Sequence, residues 1–300
     1  MATTGRAQRV RERARAEMRT EILDAARRQL AQEGVAGLSL RAVAREVGMV
    51  SSAVYRYFDN RDALLTALII DAYDSLGGAV ETAEALVPRG DLLARWRTIA
   101  GTVRTWALEN PSLYALVYGS PVPGYSAPQD TVGPATRVTR LLALLLQDIV
   151  RAETETEAEA EADTETAADA ETAADAETAA GTGTAADTGT AAGTGTVDAV
   201  DAAVPDPHLS PGAAQGLAPL VAFLGPGTTH ERALGGLMAW TWLFGAVSFE
   251  LFGQLTGAVE DERRGAVFEA EVERAAGWLG LPAAPPPAAR TGRSDAARRP

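Results

Sequence analysis

The chain has 300 residues, 46% of them hydrophobic, which is enough for one large core or two ordinary ones, and an Ala-rich, aromatic-poor composition that favours helix over sheet. It contains no Cys, which excludes disulfides, thiolate metal sites and Cys nucleophiles, and its two His, His208 and His230, both lie in loop-like surroundings unsuited to a metal cage or a catalytic dyad. The net charge of −13 is local: residues 1–61 carry 12 Arg against 7 acids, whereas residues 153–206 hold 15 acids and no base, so a nucleic-acid partner stays open.

Residues 1–16 read as a basic disordered arm. They have no apolar core of the kind a secretory signal requires, and the six Arg from Arg6 to Arg19 suit phosphate attraction or insertion into a minor groove. Met18, Ile22, Ala25, Ala26 and Leu30 then recur at helical spacing, with Gly34 as the stop. Leu40, Val43, Ala44 and Val47 continue that spacing behind Ser39, a good N-cap type. The string LRAVAREVGMVSSAVYRYF, residues 40–58, reads as two short helices joined by a tight turn. Ala44 must be small because the second helix crosses over it, and Gly48 supplies the left-handed backbone the turn demands. The second helix is expected to bury Val50, Val54 and Phe58 and to turn Ser51, Ser52, Ala53, Tyr55 and Arg56 outward.

That outward set suits a DNA major groove. Arg56 can pair with guanine O6 and N7, worth about 1–3 kcal/mol of base discrimination; Ser51 and Ser52 can read either partner and Ala53 a thymine methyl. Tyr55, Tyr57 and Arg61 are expected to clamp phosphates, with Arg61 at the start of a further helix whose free amides follow Asp59 or Asn60, and Arg41 is placed for a base edge or a phosphate.

From Met18 to Leu65, including AVYRYFDNRDALL, the chain resembles the N-terminal domain of the TetR/AcrR family of transcriptional regulators. The resemblance implies a cytoplasmic homodimer that binds a palindromic operator in double-stranded DNA as a repressor and is released by a small effector. The family commonly places Ser or Thr as N-cap of the recognition helix where this chain has Val50, so Ser51 is expected to cap one residue later.

Further helices are expected at 61–86, 91–109, 111–118, 131–151, 213–224, 228–255 and 260–280, with no strand pattern. Residues 92–124 and 240–252 resemble a TetR C-terminal domain of the type named after its Trp, His and Gly, although Phe244 stands where that group has His. Trp106, Tyr114, Tyr118, Trp240 and Phe244 are expected to line a mostly apolar cavity, with Glu250 as a polar pocket group or a partner for an Arg across the dimer. The resemblance puts the dimer contact on the last two helices, where Gly235, Gly245 and Gly253 permit close approach, either between subunits or within one. The longest uncharged stretch there, Leu234 to Phe249, falls short of the ~20 residues of a membrane span.

No Val, Ile, Leu, Met, Phe, Trp or Tyr occurs from Ala152 to Thr196, so residues 153–206 are expected to be an acidic insertion that is disordered or begins as a fraying extension of the preceding helix, and 282–300 a disordered Pro-rich tail. The expected plan is all-α: a three-helix helix-turn-helix domain at 17–65, then a helical-bundle ligand-binding and dimerisation domain at 66–281. No catalytic set, metal site or cofactor loop is visible. A helical enzyme using Glu250 and an Arg, or an architectural DNA-binding protein without an effector, are the competing expectations.

Overall fold

The 3.6-residue apolar spacing folds as helices throughout. In the computed structural model, which describes residues 2–179 and 209–282, no strand occurs among the described residues. Helix α1 (Ala2–Gly37) buries Ile22, Ala25, Ala26 and Leu30 and breaks at Gly34, whose φ of 68° is left-handed. Its first sixteen residues were expected to be disordered, yet helix continues through them. Arg, Ala, Gln and Glu are good helix formers, and the pairs Gln8–Glu12 at 3.0 Å and Arg13–Glu17 at 2.9 Å lie one turn apart along it.

Helix α2 (Leu40–Glu46) buries Leu40, Val43 and Ala44. Helix α3 (Ser51–Val54) is a single turn that runs on through tight turns to the buried Phe58. Helix α4 (Arg61–Glu84), capped by the Asn60 side chain on the Ala63 amide, packs against α1 and against α5 (Leu92–Glu109), α6 (Pro111–Tyr118) and α8 (Arg137–Ala179). A short α7 (Val132–Ala135) precedes α8, so the helix expected at 131–151 is split around Thr136 and then runs far beyond its expected end. The part of the acidic insertion up to Ala179 is therefore helical, an extension of the preceding helix and not a disordered segment. An established helix propagates cheaply into Ala- and Glu-rich sequence, and Glu153 is held by Arg232 at 2.5 Å. Residues 180–206, His208 and the tail from 283 lie outside the described residues.

Helices α9 (Pro211–Leu224), α10 (His230–Leu251) and α11 (Arg264–Trp278) complete the bundle, with His230 opening α10 and not in a loop. By length and composition α4 and α10 could each cross a membrane, which the uncharged stretch alone did not reveal. In α4 the apolar side chains Leu64, Leu65, Leu68, Leu76 and Val80 are buried in the protein core. In α10, Ala233, Ala239, Leu243 and Val247 face inward, while Leu234, Met238, Thr241, Gly245, Phe249 and Phe252 recur every three or four residues along the outer side.

The three glycines proposed for close approach do different things. A Cβ on Gly235 would lie 2.0 Å from the Trp278 carbonyl oxygen, so this glycine lets α10 and α11 meet within one subunit. Gly253, with φ of 76°, follows the end of α10, and Gly245 has open space where its Cβ would be. Gly235→Ala is expected to cost about 1–3 kcal/mol through overpacking against backbone. Gly245→Ala is expected to add up to ~1 kcal/mol from helix propensity. Thermal or urea unfolding of the two variants separates the cases.

Candidate nucleic-acid interface and sensor cavity

The turn between α2 and α3 is built as its residues require. Gly48 takes φ of 69°, and the Met49 amide donates back to the Ala44 carbonyl at 2.8 Å. Val54 and Phe58 are buried, and this fixes which side of α3 faces out: Ser51, Ser52, Tyr55 and Arg56 are exposed, Ala53 is half-buried, and Arg41 is exposed on the first turn of α2.

Four expectations change here. Val50 is not buried but 72% exposed, because it is the extended N-cap residue (φ −67°, ψ 140°) ahead of the first turn and does not share the Val54–Phe58 side. Ser51 is therefore the first helical residue and not the cap, and neither α3 nor α2, behind Ser39, has a side-chain capping bond. Tyr57 is half-buried against the core, with the Arg15 guanidinium 5.8 Å over its ring, so it is less available than Tyr55. Arg61 is turned inward: its Nε donates to the Leu38 carbonyl at 3.0 Å and its Nη2 to the Val35 carbonyl at 2.5 Å. Arg61 thus links the segment at the end of α1 to the start of α4.

Two of the six arginines expected to attract phosphates or enter a minor groove close the far end of this surface. Arg15 donates to the Arg56 carbonyl at 3.2 Å and Arg19 to the Tyr57 carbonyl at 3.4 Å, and the Arg19 guanidinium stacks 4.4 Å from the Phe58 ring centroid. Their spacing of four in the sequence was the available signal.

In the larger bundle a cavity of about 180 Å³ opens between α8, α9 and α10. Leu142, Ala143, Phe223, Gly236 and Trp240 form its walls, and Thr139 supplies a hydroxyl. Of the six residues expected at a cavity, Trp240 alone lines this one. Trp106 is buried, its indole N–H bonded to Ser75 Oγ at 3.0 Å. Tyr114 is fully buried; its hydroxyl donates to the Phe244 carbonyl at 3.0 Å and lies 3.0 Å from Ser248 Oγ, and burial pushes the phenol up to about 12. Tyr118 packs between Tyr114 and Phe244, with ring centroids 4.9 Å and 4.5 Å away, and its phenol is likewise raised by burial. Glu250 forms a two-pronged ion pair with Arg104 of α5 at 2.7 and 2.6 Å, so its partner is within the subunit. Large rings fill the space between α6 and α10, and the void lies outside that cluster, along the α8 wall formed by Leu142 and Ala143.

The cavity helix α8 is tied to α4 twice. Arg137 bonds Glu81 at 2.9 and 2.5 Å and Asp74 at 2.9 Å, and through these bonds Arg137 holds the Glu81 carboxyl below its ordinary range. Further along, Arg95 of α5 is fully buried and bridges Glu84 of α4 at 2.5 Å to Asp148 of α8 at 2.8 Å.

Residues 22–68 match the family model of bacterial regulatory proteins of the tetR family, and residues 96–275 match that of the tetracyclin repressor-like C-terminal domain. Over 131 residues the chain is 53% identical to HTH-type transcriptional regulators of Mycobacterium tuberculosis and Mycobacterium bovis, which covers 42% of this chain and 54% of the relatives. The chain thus spans about half the length of the mycobacterial relatives it matches. Among solved structures it is similar to the regulatory protein SCO4313, with a TM-score of 0.57 and 30% identity over 89% of this chain and 98% of that one. A protein from Rhodococcus sp. RHA1, 24% identical, shares the fold with a TM-score of 0.50 over 88% of this chain and 94% of that one.

The uncapped start of α3 generates a stability prediction. Val50→Thr keeps the shape of the side chain and adds a capping oxygen, and is expected to stabilise the chain by about 1 kcal/mol, read as a raised midpoint in chemical unfolding.

Proposed function

The chain belongs to the TetR family of bacterial regulatory proteins, and on that premise we propose that it is a cytoplasmic homodimeric repressor that binds a palindromic operator and is released by a small apolar effector. The observation that carries the proposal is the outward side of α3. Val54 and Phe58 anchor it from beneath, and Ser51, Ser52, Tyr55 and Arg56 are left exposed, a set that can read base edges and clamp the phosphates beside them.

One such head reads few base pairs, so two are needed about 34 Å apart on one side of the duplex. The outer stripe of α10, with Trp278 of α11 beside it, is the face assigned to a second copy: Met238, Phe249 and Phe252 are exposed along it, and one patch carried by both subunits can meet itself about a two-fold axis. The effector is assigned to the cavity between α8, α9 and α10, whose walls suit an uncharged molecule with one hydrogen-bonding group for Thr139. An occupied cavity spreads α8 from α10. Because α8 is tied to α4 by the Arg137 and Arg95 clusters, that shift moves the rod that carries the reading head, and the DNA-competent spacing loses population by the difference in ligand affinity.

Two measurements test this. A palindrome selected by the wild-type chain from a random duplex library provides the DNA; Tyr55→Ala with Arg56→Ala is expected to lose at least 10-fold in affinity for it, in line with about 1–3 kcal/mol for Arg56 alone, while the far-ultraviolet spectrum stays helical. Undiminished binding would overturn the assigned surface. In a thermal-shift screen of small apolar compounds, those that raise the wild-type melting temperature are expected to leave Ala143→Phe unmoved, because the added ring fills the cavity; compounds that shift both proteins equally would place the effector elsewhere.

A further inference from the structure

The α3 surface leaves unused the most basic segment of the molecule. Residues 2–19 carry six Arg against Glu12 and Glu17. They form one continuous helix with the part of α1 that is buried from Ile22 onward, and Arg6, Arg9, Arg11, Arg13 and Arg15 are all exposed. At 1.5 Å per residue the stretch from Ala2 to Ala14 projects roughly 18 Å beyond the point where Arg15 meets the head, the axial length of about 5 base pairs.

Its direction is set by contacts. Arg15 and Arg19 bond the carbonyls of Arg56 and Tyr57, the residues at which the chain leaves α3. At 100° per residue, Gln8, Arg11, Arg15 and Arg19 share one flank of α1, and this is the flank that meets the exit of α3. The acid on that flank, Glu12, is held by Gln8 at 3.0 Å. Arg6 and Arg13 lie on the opposite flank, where Arg13 is paired with Glu17 at 2.9 Å. The basic flank thus continues the reading surface, and being helical already it need not be ordered when DNA arrives, as a flexible arm must.

Resting on the DNA-binding role proposed above, we infer that the N-terminal part of α1 is a second DNA-contacting element, which lays Arg11 and Arg15 against the phosphate backbone beside the groove that α3 enters. It adds affinity without sequence information, because guanidinium–phosphate pairs are the same at every step of the duplex.

The test compares Arg11→Gln with Arg15→Gln in one full-length chain, Arg13→Gln as a control on the opposite flank, and the Tyr55→Ala, Arg56→Ala chain. Binding is measured against salt on a duplex carrying the selected palindrome and on a shuffled duplex of equal length. The Arg11, Arg15 chain is expected to lower the slope of log K against log salt by about 2, to weaken both duplexes by the same factor, and to shorten the hydroxyl-radical footprint. Arg13→Gln is expected to change the slope by less than half a unit on the scale of about 1 per lost phosphate contact. A wild-type slope in the Arg11, Arg15 chain overturns the inference, as does an equal effect from Arg13→Gln, which would reduce it to net charge. Tighter binding on neutralisation overturns it too, and would mean that the basic helix engages the acidic tract of this chain. If the Tyr55, Arg56 chain also binds as the wild type does, the reading surface itself is wrong; if it alone loses the palindrome, only the α1 inference falls.

Discussion

A fully buried guanidinium constrains the whole larger bundle. Arg95 has no exposed surface, and its charge is compensated by Glu84 at the end of α4, Asp148 on α8 and the Arg89 carbonyl. Removing one partner from such a group typically costs about 3–5 kcal/mol, because the remaining charge stays out of water. Arg95 thus joins the last turn of α4, the first turn of α5 and the first third of α8 in one charge cluster. Arg89 reinforces the arrangement from the solvent side, reaching both Glu84 at 3.1 Å and Asp148 at 2.6 Å.

This matters because α4 belongs to two packing units. Leu64, Leu65 and Leu68 complete the core of the helix-turn-helix head, while Leu76 and Val80 lie in the bundle beyond it. The boundary expected after residue 65 falls inside this continuous helix, so no flexible linker separates head from bundle. Arg27 of α1 pairs with Asp71 near the middle of α4 and Arg61 struts its start, so the head is clamped to the rod at two points. In the release mechanism proposed above, this continuous helix is what would pass a displacement at the bundle end on to α3.

The cavity lies along the helix that carries both charge clusters. Its α8 wall, Leu142 and Ala143, lies between the two charge clusters that bind α8 to α4, and Gly236 of α10 faces that wall, where even a Cβ would meet Leu146 at 2.5 Å. The aromatic cluster of Tyr114, Tyr118 and Phe244 is a rigid neighbour of the void and not its lining.

Much of this architecture was legible in the amino acids alone, because it depends on relations between near neighbours in the chain. Apolar spacing of three and four marked most of the helices to within a few residues, apart from the start of α1 and the end of α8, where helix runs on into sequence without an apolar stripe, and Gly34 and Gly48 stand at the two early positions where the backbone turns left-handed. The outward side of α3 followed from the spacing of Val54 and Phe58 once their burial was assumed. Only the tertiary structure decided where the long side chains end. Arg61 reaches carbonyls 23 and 26 residues before it, Glu250 meets an arginine 146 residues away, and the void is lined by residues from five separate stretches. Periodicity is written into each helix by its own geometry, whereas an ion pair or an unfilled volume exists only when distant segments have been brought together, and no local spacing records which of them will meet.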